Sequence, residues 1–228
     1  RVQLLRLMQN FQLCYELDKD NFIAPQLLES EAPVYEWIDA PDDLQLRYKY
    51  PLFMPRGILS RAIVALHKQI EDGLVWRVGV ILHDEYARAE LLELRGEKEI
   101  RIRVGGRLKR DLLMHIVRAL DELHSSFSAK LKYDKQIPCR CATCTELDDP
   151  HFFNLDKLLG RLAHGKQTDD CGNAPYETMQ IPHLIGDIIP QAKAGDQYVF
   201  VGGDYIKVGD IEGSHGMAFG RQARASTA

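Results

Sequence analysis

"LQLRYKYPLFMPRGILSRAIVALHKQI", Leu44–Ile70, is the stretch that decides the fold class. Its first seven residues alternate: Leu44, Leu46, Tyr48 and Tyr50 stand against Gln45, Arg47 and Lys49, the period of a strand with one buried face. Beyond Pro51 the period changes. Pro55 suits a first helical turn, and Ile58, Ala62, Leu66 and Ile70 recur on one helical stripe. A half-buried strand running into an amphipathic helix calls for a sheet with helices on one side.

The residues that follow extend this pattern. "VWRVGVILHD" and "ARAELLELRG" read as two further strands, and "KEIRIRVGG" as another, with Ile100, Ile102 and Val104 set against Arg101 and Arg103. A helix is expected from Arg107 to about Phe127, carrying Leu108, Leu112, Ile116, Leu120 and Phe127 on one face. "AKLKYDKQI" reads as the last strand. The order β-α-β-β-β-α-β over residues 34–137 implies an α+β layer: a mostly antiparallel sheet with two helices. Two helices cover one face only. "VWRVGVILHD" is apolar on both sides, with Trp76, Val78, Val80 and Leu82 on one and Val75 and Ile81 on the other. Apolar sheet surface is therefore expected to remain and to serve a homodimer.

Residues 1–30 read as helix, strand, turn, strand, the end of a winged-helix-like unit, closed by the acidic linker "ESEAP". Cys14 in this part reads as a plain core residue. The chain opens at Arg1 inside an apparent helix, which reads as a piece of a longer protein. At the other end, residues 191–228 form a glycine-rich tail, with glycine at 202, 203, 209, 213, 216 and 220; a β-roll of short strands and a flexible linker both suit it.

Residues 138–190 hold the chemistry. "IPCRCATC" places Cys139, Cys141 and Cys144 within six residues, too close for ordinary disulfides among themselves, and Cys171 follows on the polar turn "DDCGN". Two or three thiolates on a tight turn are the usual first half of a tetrahedral zinc site, and Cys171 supplies a fourth. His151 in "DPHFF" is the alternative ligand. Unligated thiols and a redox pair are the other readings, but "TELDD" after Cys144 is not the helix opening that a redox Cys-x-x-Cys uses. A small zinc-ribbon-like extension with structural zinc is favoured.

With 45% hydrophobic residues in 228, the chain can bury real cores. A net charge of -4 disfavours nucleic acid as partner. No apolar run reaches the ~18 residues of a membrane span. Five cysteines, an odd number, fit a reducing cytoplasm. "GRLAHGKQT" has the glycine spacing of a P-loop, but Gln167 stands where Ser or Thr would hold magnesium, so no nucleotide site is assigned. His67, His83, His115 and His124 lie scattered singly, and no catalytic motif appears. Arg101, Arg103, Arg107, Lys109 and Arg110 form the strongest basic row, read as a solvated sheet face.

At "LLRLMQNFQLCYEL", "FIAPQLL", "YKYPLFMPRGILSRAIVALHK" and "WRVGVIL", the chain resembles the COR region of Roco proteins, in which a Ras-like Roc GTPase precedes COR. The similarity covers roughly residues 1–135, and Pro55-x-Gly57-x-x-Ser60-Arg61 with Trp76-Arg77 is its most specific part. The cysteine-rich segment looks like the extension that follows COR in bacterial-type relatives. The resemblance implies a non-catalytic module that couples a Roc domain of the same parent chain to dimerisation and to downstream domains, working as a homodimer. It also implies Tyr50, Phe53 and Arg61 as Roc–COR contact residues. The rival from another class is a zinc-stabilised nucleic-acid or protein adaptor using the basic row.

Overall fold

A computed structural model describes residues 2–38, 40–127, 131–189, 192–201 and 204–208. The first two residues of the strand expected at 129–137 and the tail beyond 208 lie outside these residues. Helix α1 (Val2–Asn10) leads to the hairpin of β1 (Tyr15–Asp18) and β2 (Asn21–Ile23). The linker then reaches β3 (Leu44–Lys49) and α2 (Ile58–Ala65), which starts at Gly57 in the left-handed region, φ 74°. Next come β4 (Ile70–Trp76), β5 (Gly79–His83), β6 (Ala87–Leu94), β7 (Glu99–Gly106), the long helix α3 (Lys109–Ser125) and β8 (Asp134–Pro138). The remainder comprises α4 (Ala142–Thr145), β9 (Phe152–Asn154), α5 (Leu155–Ala163), β10 (Thr168–Asp170), β11 (Thr178–Gln180), α6 (Ile181–Ile185), β12 (Tyr198–Val201) and β13 (Asp204–Lys207).

The fold is α+β, as the periodicities imply. Seven strands form one antiparallel sheet in the order β4-β5-β6-β7-β3-β8-β9; the two helices expected for this layer are α2 and α3, among six α-helices in the described residues. The four additional helices are short or lie in the flanking segments. β3 enters between β7 and β8, pairing Leu44, Leu46 and Tyr48 with Val104, Ile102 and Ile100. That register puts every apolar residue of both strands on the inner face. α2 and α3 cover this face, and α3 buries Leu112, Leu113, Ile116, Val117 and Leu120 against it. Leu108, expected on the same stripe, precedes the helix and is 40% exposed.

Two expectations need correction. "VWRVGVILHD" is not one strand but the tight hairpin between β4 and β5, turning at Arg77 and Val78. Gly79 permits this, because a Cβ there would stand 2.1 Å from the Trp76 indole that lies over it. Nor is a bare apolar outer face present among the described residues. Val80 and Leu82 enter the core, whereas Trp76 meets Tyr35 of the linker at 5.7 Å between rings, and Ile81 is fully buried. The linker crosses the sheet: Tyr35 Oη donates to Glu90 at 2.6 Å, and Arg88 and Arg103 stack on Trp37. The rest of the outer face is an ion-pair ladder, with Arg47, Lys49 and Arg101 all on Glu99 and Arg103 on Glu90. Apolar residues whose alternation looked two-sided are covered by the chain itself.

The inner layer contains a buried polar nest. Asp121 accepts from Tyr48 at 2.9 Å and from Lys135 at 2.6 Å, and Tyr50 Oη lies 2.8 Å from His124 Nε2. The His124 ring stacks on Tyr133 at 4.0 Å and on Tyr48 at 5.2 Å. These groups tie α3 to β3 and β8, because buried polar atoms without partners are costly.

Two outcomes follow from this packing. Ile116→Asp places a carboxylate at a fully buried position and should cost several kcal/mol, of the roughly 5–15 kcal/mol a domain has; a melt like the parent's would show that this face is not core. Burial pushes the His124 imidazole down to about 4 from 6.5. The folded chain therefore holds the neutral ring, and the unfolded chain takes the proton first. The stabilising contribution is complete above about pH 6.5 and is lost as pH falls towards 4, amounting to at most about 3 kcal/mol. The drop in urea midpoint from pH 7 to pH 4.5 should be smaller in His124→Gln than in the parent, and equal drops would refute the assignment.

Candidate metal centre

β8 ends at Pro138 and delivers Cys139, whose backbone N–H donates to the His151 carbonyl at 2.7 Å. Cys141 caps the one-turn helix α4 and Cys144 lies within it, while Cys171 follows β10 on the opposite side. The four sulfurs lie within 4.8 Å of one another, and each cysteine is at most 4% exposed. Cys144 and Cys171 Sγ are 3.5 Å apart, and Cys141 and Cys171 Sγ 3.8 Å apart. A tetrahedron with Zn–S bonds near 2.3 Å has edges of about 3.8 Å. A disulfide would need about 2.05 Å, and all five cysteines of the chain are free thiols. The spacing could hold one metal ion.

Hydrogen bonding agrees with this reading. Backbone N–H groups of Cys141, Cys144, His151 and Asn173 donate to the sulfurs of Cys139, Cys141, Cys144 and Cys171, at 3.5, 3.4, 3.4 and 3.4 Å. The Asn173 side-chain amide adds a fifth donor, 3.5 Å from Cys144 Sγ. Amide dipoles aimed at sulfur compensate negative charge gathered in a dry site. Burial pushes the Cys139 and Cys171 thiols up, whereas at Cys144 the same effect is outweighed by hydrogen bonds from the His151 N–H and the neighbouring thiols, which hold it below the usual thiol value.

The structure brings together Cys139, Cys141, Cys144 and Cys171. His151, the alternative ligand, braces the site with its backbone, and its ring sits edge-on to Phe153 and against Gly172, outside the four-sulfur cluster. Asn173 was missed by sequence reading; its signal is the Cys171-Gly172-Asn173 turn, a small residue after a cysteine that lets the next amide fold back onto sulfur.

The other singled-out residues lie elsewhere. Phe53 is 64% exposed beside Leu52 at 69%. Arg61 is engaged within the chain, with Gln12 and Ser126 accepting from its guanidinium and Phe127 beneath it. Tyr50, the remaining contact candidate, is wholly buried within the chain, with its hydroxyl 2.8 Å from His124 Nε2. The basic row is neutralised internally, Arg101 by Glu97 and Glu99, Arg103 by Glu90, Lys109 by Asp42 and Arg110 by Asp204, while Arg107 lies over the Tyr86 ring. Gly160 stands inside α5, so the stretch with P-loop spacing is helix and helix end rather than a phosphate loop. No helix among the described residues is long and apolar enough to cross a membrane.

Comparison with known proteins identifies the surroundings of this centre. The family model "C-terminal of Roc, COR-B domain" matches residues 42–187, a span that contains the seven-stranded sheet and all four clustered cysteines. A protein named Roc-COR-CHAT protease from Runella zeae (strain ATCC BAA-293 / DSM 19591 / LMG 21438 / NS12) is 30% identical over 144 residues, 61% of this chain and 15% of that protein. A second Roc-COR-CHAT protease, from an unknown prokaryotic organism, is 27% identical over 135 residues, 56% of this chain and 13% of that protein. The aligned stretch thus spans about a seventh of either relative. With the family matched over most of its length, the chain belongs to the COR-B family and is part of the COR region of a Roco-type protein.

Proposed function

We propose that this chain is a non-catalytic COR module that couples a Roc GTPase domain of the same parent protein to homodimerisation and to a downstream domain. The match to COR-B over residues 42–187 carries this reading. In it, residues 1–30 are the end of a winged-helix-like first subdomain and residues 34–137 the second; residues 138–190 are a zinc-binding extension and residues 191–228 a glycine-rich tail. Both relatives are named as proteases, so the downstream receiver is proposed to be a protease domain. The module works in the cytoplasm, where five free thiols persist. Four of the five residues in the basic row pair with the chain's own carboxylates, which weighs against the nucleic-acid adaptor.

Phe53 is the residue proposed to meet Roc. It is an exposed aromatic beside exposed Leu52, on the loop that joins β3 to α2, and large apolar side chains of this kind dominate interface energies. A dimer has a different exposed surface available: Leu4, Leu7 and Phe11 of the N-terminal segment, each more than half exposed, occur at helical spacing.

The extension is proposed to hold one structural zinc on Cys139, Cys141, Cys144 and Cys171. Support for an energetic task comes from the hairpin of β10 and β11, which has three residue pairs, with Met179 packed against the core and Cys171 following β10. So small a hairpin is marginal by itself, and the ion would fasten it to the end of β8.

Phe53→Glu should weaken association with the isolated Roc domain about tenfold or more while leaving the melting temperature unchanged; unaltered affinity would move the contact elsewhere. Metal analysis should find about one zinc per chain, lost in Cys171→Ser. Stripping the ion should speed amide exchange in residues 168–180 far more than in β6 and β7. Well-folded protein without metal would overturn the zinc assignment.

A further inference from the structure

Two cysteine-bearing loops, distant in the chain, must converge before a metal can be held. Cys139, Cys141 and Cys144 stand at the end of β8 and in α4, and Cys171 follows β10. The donors to Cys139 and Cys141 come from within the first loop. Asn173 is different. Its backbone N–H donates to Cys171 Sγ at 3.4 Å, in its own loop, and its side-chain amide crosses to Cys144 Sγ at 3.5 Å. Cys144 therefore receives two N–H donors, from His151 and from Asn173, and takes one of them from across the site.

Gly172 sets the position of that amide. An added Cβ would stand 2.6 Å from His151 Nδ1 and 2.8 Å from its Cε1, so the Cys171–Asn173 turn lies flush against the imidazole face. The ring is itself held edge-on by Phe153, 4.7 Å between centroids. The wall formed by His151 and Phe153, the side-chain-free Gly172 and the Asn173 amide together fix how closely the two halves approach.

We propose that Asn173 is a positioning residue of the metal centre: its amide, seated by the contact between Gly172 and His151, aligns the Cys144 thiolate and joins the two halves of a four-thiolate site for zinc or a similar soft divalent ion. The proposal rests on the metal reading above and deepens it. Chemically, an N–H···S bond withdraws electron density from the thiolate and holds its sulfur in one rotamer about Cα–Cβ. Groups that orient metal ligands in this way commonly change metal affinity by 10–100-fold.

The test uses the full chain loaded with Co²⁺ as a spectroscopic substitute and with Zn²⁺ in competition against a chromophoric chelator. The parent should show the intense near-ultraviolet bands of sulfur-to-cobalt charge transfer from a tetrahedral all-thiolate site. Asn173→Asp keeps the shape but removes the amide donor, and Asn173→Ala removes both. Each should lower zinc affinity about tenfold or more and move the charge-transfer bands to lower energy, with the metal-loaded far-ultraviolet dichroism unchanged. Gly172→Ala should reproduce the loss with Asn173 intact. Unaltered affinity and spectra in both Asn173 variants, with metal bound to the parent, would overturn the positioning role alone. A parent that binds neither ion would overturn this role together with the metal reading.

Discussion

Insertion of β3 between β7 and β8 is the constraint on which the rest of this molecule depends. The strand pairs on both sides with segments that follow it by about fifty and ninety residues, so the sheet cannot close until those segments are present. Its strict alternation settles everything beneath and above it. Leu44, Leu46 and Tyr48 look towards α2 and α3, and Arg47 and Lys49 look outward to Glu99. A slip of one residue would exchange the two sets, burying guanidinium and ammonium groups under the helices. Register is therefore specified by the burial of one face and the ionic pairing of the other.

The two faces handle their polar groups differently. Inside, Tyr48 and Lys135 donate to Asp121, and the Tyr50 hydroxyl meets His124 Nε2 in a water-poor layer. Replacing one member would strand its partner, so such a nest specifies one packing of α3 on the sheet more than it adds stability. Outside, the linker covers what side chains alone would leave bare, and Glu90 links it to the sheet through Tyr35 and Arg103. The segment between the N-terminal hairpin and β3 thus acts as part of the packing rather than as a spacer.

The cysteine centre stands at the far edge of the same sheet. β9, which follows the cysteine turn, pairs with β8, and Arg47 of β3 lies 3.5 Å over the Phe152 ring. The extension is thereby joined to β3 through one intervening strand and one cation–π contact. Residues 42–187, the span that matches COR-B, run continuously across this junction.

The sequence by itself determined the elements whose signal is local. The alternation of Leu44–Lys49 and Glu99–Gly106, the helical stripe through Leu112, Ile116 and Leu120, and the cysteine spacing were all legible, because a side-chain period or a short loop is written in adjacent residues. The kinship with COR was legible too, from a few motifs near Pro55 and Trp76. Only the tertiary structure decided what depends on contacts distant in the chain. It split Val75–Asp84 into a hairpin under Trp76, laid Tyr35 and Trp37 over the outer face, and sank Tyr50 beside His124 while leaving Phe53 in solvent. It also placed the Asn173 amide on a sulfur 29 positions away. Burial and hydrogen-bond satisfaction choose among the sites that local patterning allows, and neither can be computed from a residue's neighbours in sequence.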